Sequence, residues 1–422
     1  MNIEIRHGRV IDPAAGSDGV GSLYIVDGRI AGFGQAPAGF VHGQVIDAAG
    51  LVVCPGLVDL SARVGGSGGE LRAAAAGGVT SVCCPPDTRP PLDEPGLVER
   101  LVGRARTVGL AHVHPVGALT VGLQGQSLTA MLDLAAAGCV AFSQAECAIG
   151  DTRVLYRALQ YASTFDLPVW LRAEDPFLAA DGVAHDGEVA ARLGLPGIPA
   201  CAESIALNTL LVLAAETGAR LHVRRLSTAA GVDMIRRARA AGSAVSADVT
   251  VHHLHLCEAD IGFFDSRARL DPPLRAADDR AALRAGLADG TLAAVCSDHT
   301  PVAEDGKQMP FAEADAGAVG LQLLLPLTLR WAAESGVDLA TALRRITAGP
   351  AQIAGLTAGT LAAGAAADIC IFDPQAVWQV GAESLHGGTC NTPFFGHTMH
   401  GRVEYTLLDG RVVFSARESL PD

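Results

Sequence analysis

The chain has 422 residues and a formal charge of −14, with 31 Lys and Arg against 45 Asp and Glu. That length exceeds one typical domain, and an acidic surface repels nucleic acid and anionic membranes, so neither is an expected partner. Apolar residues make up 49% and aromatics only 5%, which leaves Ala, Val, Leu and Ile to build the interior; with no run of about 20 apolar residues and no leader-like pattern in Met1-Asn2-Ile3-Glu4, a soluble cytoplasmic protein is expected.

The first fifty residues read as short strands and hairpins. Leu23-Tyr24-Ile25-Val26, Asp27-Gly28 and Arg29-Ile30-Ala31 form an Asp-Gly hairpin signature. The far end repeats it: Asp368 to Phe372, then Val403 to Leu408, Asp409-Gly410 and Arg411 to Phe414. These two β-rich ends predict one small sheet domain, residues 1–54 with 356–422, around a middle domain of residues 55–355.

The middle alternates between two periods. Strand-like runs cover Leu57–Leu60, Val79–Cys83, His112–Gly117, Val140–Ser143, Val169–Arg172, Arg220–Arg225, Ala244–Ala247 and Leu292–Ser297. Helical stretches between them include Thr152–Thr164, Ala202–Thr217, Thr228–Ala241 and Asp278–Ala288. Eight strands with intervening helices predict an α/β fold, a (β/α)8 TIM-type barrel. A doubly wound open sheet is the alternative, but no Gly-x-Gly-x-x-Gly turn follows the first strand. The run Gly65-Gly66-Ser67-Gly68-Gly69 reads as the loop after that strand, since no Lys-Ser/Thr pair follows it to make a phosphate cradle. There are 10 cysteines and no Cys-x-x-Cys pair. Cys54, Cys83, Cys84, Cys139, Cys296 and Cys370 sit in or beside apolar runs, as small buried hydrophobes in a reducing compartment do.

Several stretches, in order along nearly the whole chain, carry a resemblance. They include Pro55-Gly56-Leu57-Val58-Asp59, Gly77-Gly78-Val79-Thr80-Ser81, Val116-Gly117-Ala118-Leu119-Thr120, Ala173-Glu174-Asp175, Leu226-Ser227-Thr228, Asp271-Pro272-Pro273-Leu274-Arg275, Ser297-Asp298-His299-Thr300-Pro301 and Asn391-Thr392-Pro393-Phe394. Together they resemble the dihydroorotases of the amidohydrolase superfamily. The resemblance implies a (β/α)8 barrel with a small β domain from both termini. It also implies reversible, zinc-assisted ring closure of carbamoyl aspartate, with an aspartate on the last strand shuttling the proton.

Position by position, the side chains that this chemistry demands are replaced. The family's His-x-His pair on the first strand is Ser61 and Arg63; serine alone is a feeble zinc ligand, and arginine has no lone pair to give. The substrate-carboxylate arginine that follows is Gly65, and the asparagine of Pro-Asn-Thr is Asp87, an anion that would repel a carboxylate. The Asp-Asp pair after Phe142-Ser143 is Gln144-Ala145. The histidine of His-Ala-Glu-Asp is Arg172, that of Cys-His-x-Ser-Thr is Arg225, the asparagine before Pro-Pro-Leu-Arg is Asp271, and the histidine closing Asp-His-x-Pro-His is Val302. Only Asp298 survives from the catalytic set, open to a vestigial base role or a structural ion pair. No bound zinc and no other cofactor is expected.

Three readings of Arg63, Arg172 and Arg225 stand side by side. They replace the metal charge by pairing with Asp298, Glu174 or Asp87; they bind an anionic ligand; or they point into solvent. His299 reads as part of the structural frame. His253 and His255 are positioned to share a strand face, but they match a family feature that is not a ligand set. Glu146 and Glu174 offer oxygens only to an adventitious cation. By resemblance to inactive barrels of this family, the chain is expected to be a pseudoenzyme of pyrimidine biosynthesis. Its expected partner is the catalytic subunit of aspartate carbamoyltransferase, in a mixed complex containing a homo-oligomer. The alternatives are a working cyclic-amide hydrolase of dihydroorotase, allantoinase or hydantoinase type with an unusual site, and an anion-binding sensor.

Overall fold

The computed structural model describes residues 2–64 and 68–417. Eight strands run β1 Leu57–Asp59, β2 Val79–Cys84, β3 His112–Ala118, β4 Ala141–Ser143, β5 Val169–Arg172, β6 Leu221–Arg224, β7 Val245–Thr250 and β8 Ala294–Cys296. They neighbour one another in sequence order, and each pairing is parallel. The ring closes just beyond the strand ends, where Ala62 bridges His299. There the Arg63 amide donates to the His299 carbonyl at 2.9 Å, and the His299 amide to the Ser61 carbonyl at 3.1 Å. The fold is the expected (β/α)8 barrel. Its strands are buried along nearly their whole length, as strands covered on both faces must be.

The helices follow the sequence signals closely. Thr152–Thr164 begins at Asp151, whose carboxylate accepts the Arg153 amide, an N-cap that satisfies an otherwise orphaned donor. Cys201–Thr217 ends at Gly218 in the left-handed region, the usual stop for a helix. Of the glycine-rich run after β1, Gly65 to Ser67 lie outside the described residues. Gly69 already opens the helix Gly69–Ala76, which shortens the predicted loop. No helix among the described residues is long and apolar enough to cross a membrane.

Strands from both ends of the chain share a second sheet. Asn2–Asp12, Ser17–Val26, Arg29–Phe33, Gln44–Asp47 and Val52–Pro55 join Ile369–Gln379, Thr398–Leu408 and Arg411–Ser415. Its two tight hairpins turn at Asp27-Gly28, with φ of 47° and 78°, and at Asp409-Gly410, with φ of 49° and 70°. Both positive φ values are what a two-residue primed turn requires. The apolar run through Pro55-Gly56 is split between the sheets. Gly56 permits the switch, because a Cβ there would lie 2.1 Å from Thr80 Oγ1. The sheet has its own apolar cluster around Ile3, Ile5, Leu23, Ile25, Val53, Ile369 and Leu407, separate from the barrel's.

Candidate functional site

Catalytic groups of a barrel of this kind stand at the C-terminal ends of its strands, and that mouth holds a dense group of ion-paired arginines and carboxylates. Arg63 lies four residues past β1, Arg172 ends β5 and Arg225 follows β6. Arg63 Nε donates to Asp87 Oδ2 at 2.9 Å, its Nη1 to Thr300 Oγ1 at 2.6 Å and its Nη2 to Glu146 Oε1 at 2.6 Å. Arg172 grips Asp271 with both nitrogens at 2.6 Å, reaches Glu146 Oε2 at 3.2 Å and also donates to Glu174. Arg225 donates to Asp298 Oδ1 and to the Asp271 carbonyl, each at 2.9 Å, and also to Glu146. All three guanidinium groups therefore pair with carboxylates, and none points into solvent.

Glu146 is the hub of this lattice, because its two oxygens receive all three arginines. Burial pushes its carboxyl up, but Arg225, Arg63 and Arg172 outweigh that and hold it well below the ordinary range. For Asp298 and Glu174 burial wins over the neighbouring arginines, and both are raised. Sequence reading gave Glu146 no role in holding arginines. The available signal was its place, two residues past Gln144 and thus just beyond the end of β4.

The backbone aims these groups at a cost. Ala145, Arg225 and Asp298 all adopt left-handed φ, at 50°, 53° and 47°, a conformation that costs non-glycine residues about 1 kcal/mol or more each and persists only where the surroundings enforce it. Around Arg225 the enforcement is visible. Its amide donates to Asp248 Oδ1 at 2.6 Å. The next two residues are clamped by buried Glu203, which accepts the Ser227 and Thr228 amides at 2.8 and 3.0 Å and both hydroxyls.

The remaining replaced positions sit around the lattice. Ser61 Oγ donates to Asp298 Oδ1 at 3.4 Å and accepts Arg224 Nη2 at 2.9 Å. Arg224, buried inside the ring, donates to Ser61 and Ser143 and has no carboxylate within hydrogen-bonding distance among the described residues; its pKa is lowered by burial and by Arg225. Gln144 turns away to Thr120. Val302 is buried, with its amide on Asn391 Oδ1. Gly65 is outside the described residues. His252, His253 and His255 lie in the turn after β7 and not on a strand. His253 bonds Thr250 Oγ1 and the Pro273 carbonyl, and His255 bonds the Leu327 carbonyl. His299 is held between Glu70 Oε2 at 2.7 Å and the Gly320 amide at 3.1 Å.

This donor set does not suit the zinc pair that the fold family implies. Zinc needs three or four N, O or S donors in tight geometry, whereas the lattice contains no imidazole, and each of its five carboxylates is already bonded to a guanidinium. Arg225 stands between Asp298 and Glu146 and pairs with both. The cavity beside Glu146, Arg172 and Glu174 is about 110 Å³, against roughly 300–1,000 Å³ for small-molecule sites.

Comparison with known proteins fits this fold. Residues 50–230 match a family model described as dihydro-orotase-like, and residues 179–414 one described as amidohydrolase family. A dihydroorotase-like protein of Pseudomonas aeruginosa is 45% identical over 98% of this chain and 99% of its own length. One from Pseudomonas putida is 44% identical over the same shares. A dihydroorotase of Syntrophotalea carbinolica is 41% identical, again over 98% and 99%. Among solved structures, the L-hydantoinase of Arthrobacter aurescens superposes with a TM-score of 0.87 at 22% identity, covering 100% of this chain and 97% of that one.

Proposed function

Because the chain belongs to the dihydroorotase-like family of amidohydrolases, we propose that it is a non-catalytic member of pyrimidine biosynthesis. In this reading its barrel serves in the cytoplasm as an assembly partner of the aspartate carbamoyltransferase catalytic chain, itself homo-oligomeric within the mixed complex. The observation that carries the non-catalytic half is the lattice on Glu146: permanent cations occupy the mouth, and the one surviving acid, Asp298, is bonded to Arg225. A lone carboxylate without a metal-bound hydroxide does little amide hydrolysis. The partner is inferred from the resemblance to inactive barrels of the family. The seven buried cysteines, none in a disulfide, agree with a reducing compartment.

The test is to co-express the chain with the transcarbamoylase of the same organism, size the product, and assay both reactions. The proposal expects a mixed particle with transcarbamoylase activity and no dihydroorotate turnover. Separate elution of the two chains would remove the partner, and turnover at enzymic rates would establish a working hydrolase instead.

One observation favours a second reading, the anion sensor. Beside the mouth a groove of about 450 Å³ is lined by four arginines, Arg63, Arg89, Arg100 and Arg104, against two carboxylates, Glu70 and Asp87, with Leu92, Leu97 and Leu101 also in its wall. A thermal-shift titration with carbamoyl aspartate and with inorganic phosphate tests it, since a ligand that binds the native state raises Tm in proportion to ln(1 + [L]/Kd).

A further inference from the structure

The opposite end of the barrel carries a second cluster of ligand-type side chains, from three separate segments. His112 opens β3, Asp368 immediately precedes the strand Ile369–Gln379, and Asp409 occupies the hairpin turn before Arg411–Ser415. His112 Nε2 lies 3.5 Å from Asp368 Oδ2 and 3.5 Å from Asp409 Oδ2. The three ligand atoms all fall within 4.8 Å of one another.

Those distances are too long for good N–H···O bonds, which centre near 2.9–3.0 Å. They fit a different geometry. Donors bound about 2.0–2.1 Å from a tetrahedral ion stand roughly 3.3–3.4 Å apart. The turn is also pinned independently of any ion, because the Asp409 amide donates to Asp368 Oδ1 at 2.8 Å and leaves Oδ2 to face the imidazole. His114, two residues along β3, keeps a buried Nε2 with no partner among the described residues, but it is not one of the three residues whose ligand atoms converge. The His112 side chain is 37% exposed, so an ion could enter from solvent.

We propose that His112, Asp368 and Asp409 bind one divalent transition ion of the zinc class, with water as fourth donor, clipping the terminal sheet to the underside of the barrel. An imidazole with two carboxylates suits zinc better than magnesium or calcium, which prefer all-oxygen shells. The site lies at the end of the barrel away from the Glu146 lattice and does not depend on the mouth being inactive. It does change how zinc analysis of this protein must be read.

The experiment strips the full-length protein with chelator and titrates it with ZnCl2 by calorimetry at pH 7.5, then repeats the titration with cobalt to read tetrahedral visible bands. H112A, D409N and the mouth variant D298N are run in parallel. The proposal expects one saturable zinc per chain, binding at least tenfold weaker in H112A and D409N and unchanged in D298N, because losing a ligand costs at least what losing its outer-shell partner does. Absence of saturable binding, or wild-type affinity in both H112A and D409N, overturns the clip. Zinc lost only in D298N would overturn both this site and the non-catalytic reading of the mouth, so the two failures are distinguishable.

Discussion

The barrel mouth and the polar frame just beneath it are both buried and rich in carboxylates, yet their acids are kept in different ways. In the mouth, Glu146, Asp87, Asp271, Glu174 and Asp298 face permanent guanidinium cations. In the frame, Asp59 meets only neutral donors: the Ser297 amide at 2.9 Å, the Ser61 amide at 3.3 Å and the Ser297 hydroxyl. Burial pushes Asp59 up to about 7 despite those bonds, whereas in the mouth three arginines hold Glu146 well below its ordinary value. Hydrogen bonds alone leave Asp59 titratable near neutrality, whereas three arginines on one carboxylate hold Glu146 ionised.

The sharpest break in this comparison is R225M. Its side chain is 1% exposed, and removing the charge strands Asp298 and half of Glu146, which should cost about 3–5 kcal/mol, read as a lower urea midpoint at unchanged slope. E146Q comes next. It takes one acceptor charge from three arginines, but its side chain is 26% exposed, so about 2–3 kcal/mol is expected, below the fully buried range.

The pH dependence of the two regions has opposite sign. Asp59 has a folded pKa above its unfolded value, so its contribution is fully present below about pH 4 and is lost as pH rises through about 7. Glu146 has a depressed folded pKa, so its contribution is present above its unfolded value and is lost as pH falls. D59N should therefore flatten the decline in stability between pH 5 and 7.5 and leave the acid limb in place, as denaturant melts across that range would record; an unchanged slope would show that Asp59 stays ionised. The smallest effect is expected for R9A. Arg9 and Asp18 also pair at 2.7 Å, but at 48% and 38% exposure, so the loss should stay under about 1 kcal/mol.

Much of the fold was legible in residue order, because strand length, apolar runs and Asp-Gly turns are local signals. All eight barrel strands fall where alternation placed them, and the helix Thr152–Thr164 keeps its predicted ends. The split at Gly56 was not legible, since it depends on Thr80 pressing against it from another strand. The three arginines, with Asp87, Glu174 and Asp298 among their partners, could be placed at the mouth through the family resemblance, but Glu146 and Asp271 as partners could not. Arg63 finds Glu146 83 residues away, and Arg172 finds Asp271 99 residues away. Such pairing is decided by which strand ends the closed ring brings together, and no local pattern encodes it. Glu146 in particular sits in an unremarkable stretch, Gln144-Ala145-Glu146-Cys147, and becomes the hub only when strands β1, β5 and β6 converge on it.

The most direct test of a mouth locked by arginines is turnover with the metal question removed. Purified protein, wild type and H112A, is supplied with excess zinc and assayed for interconversion of dihydroorotate and carbamoyl aspartate. The locked mouth predicts conversion no faster than protein-free zinc buffer for both. Turnover in the ordinary enzymic range of about 1–10³ s⁻¹, abolished by D298N, would contradict it.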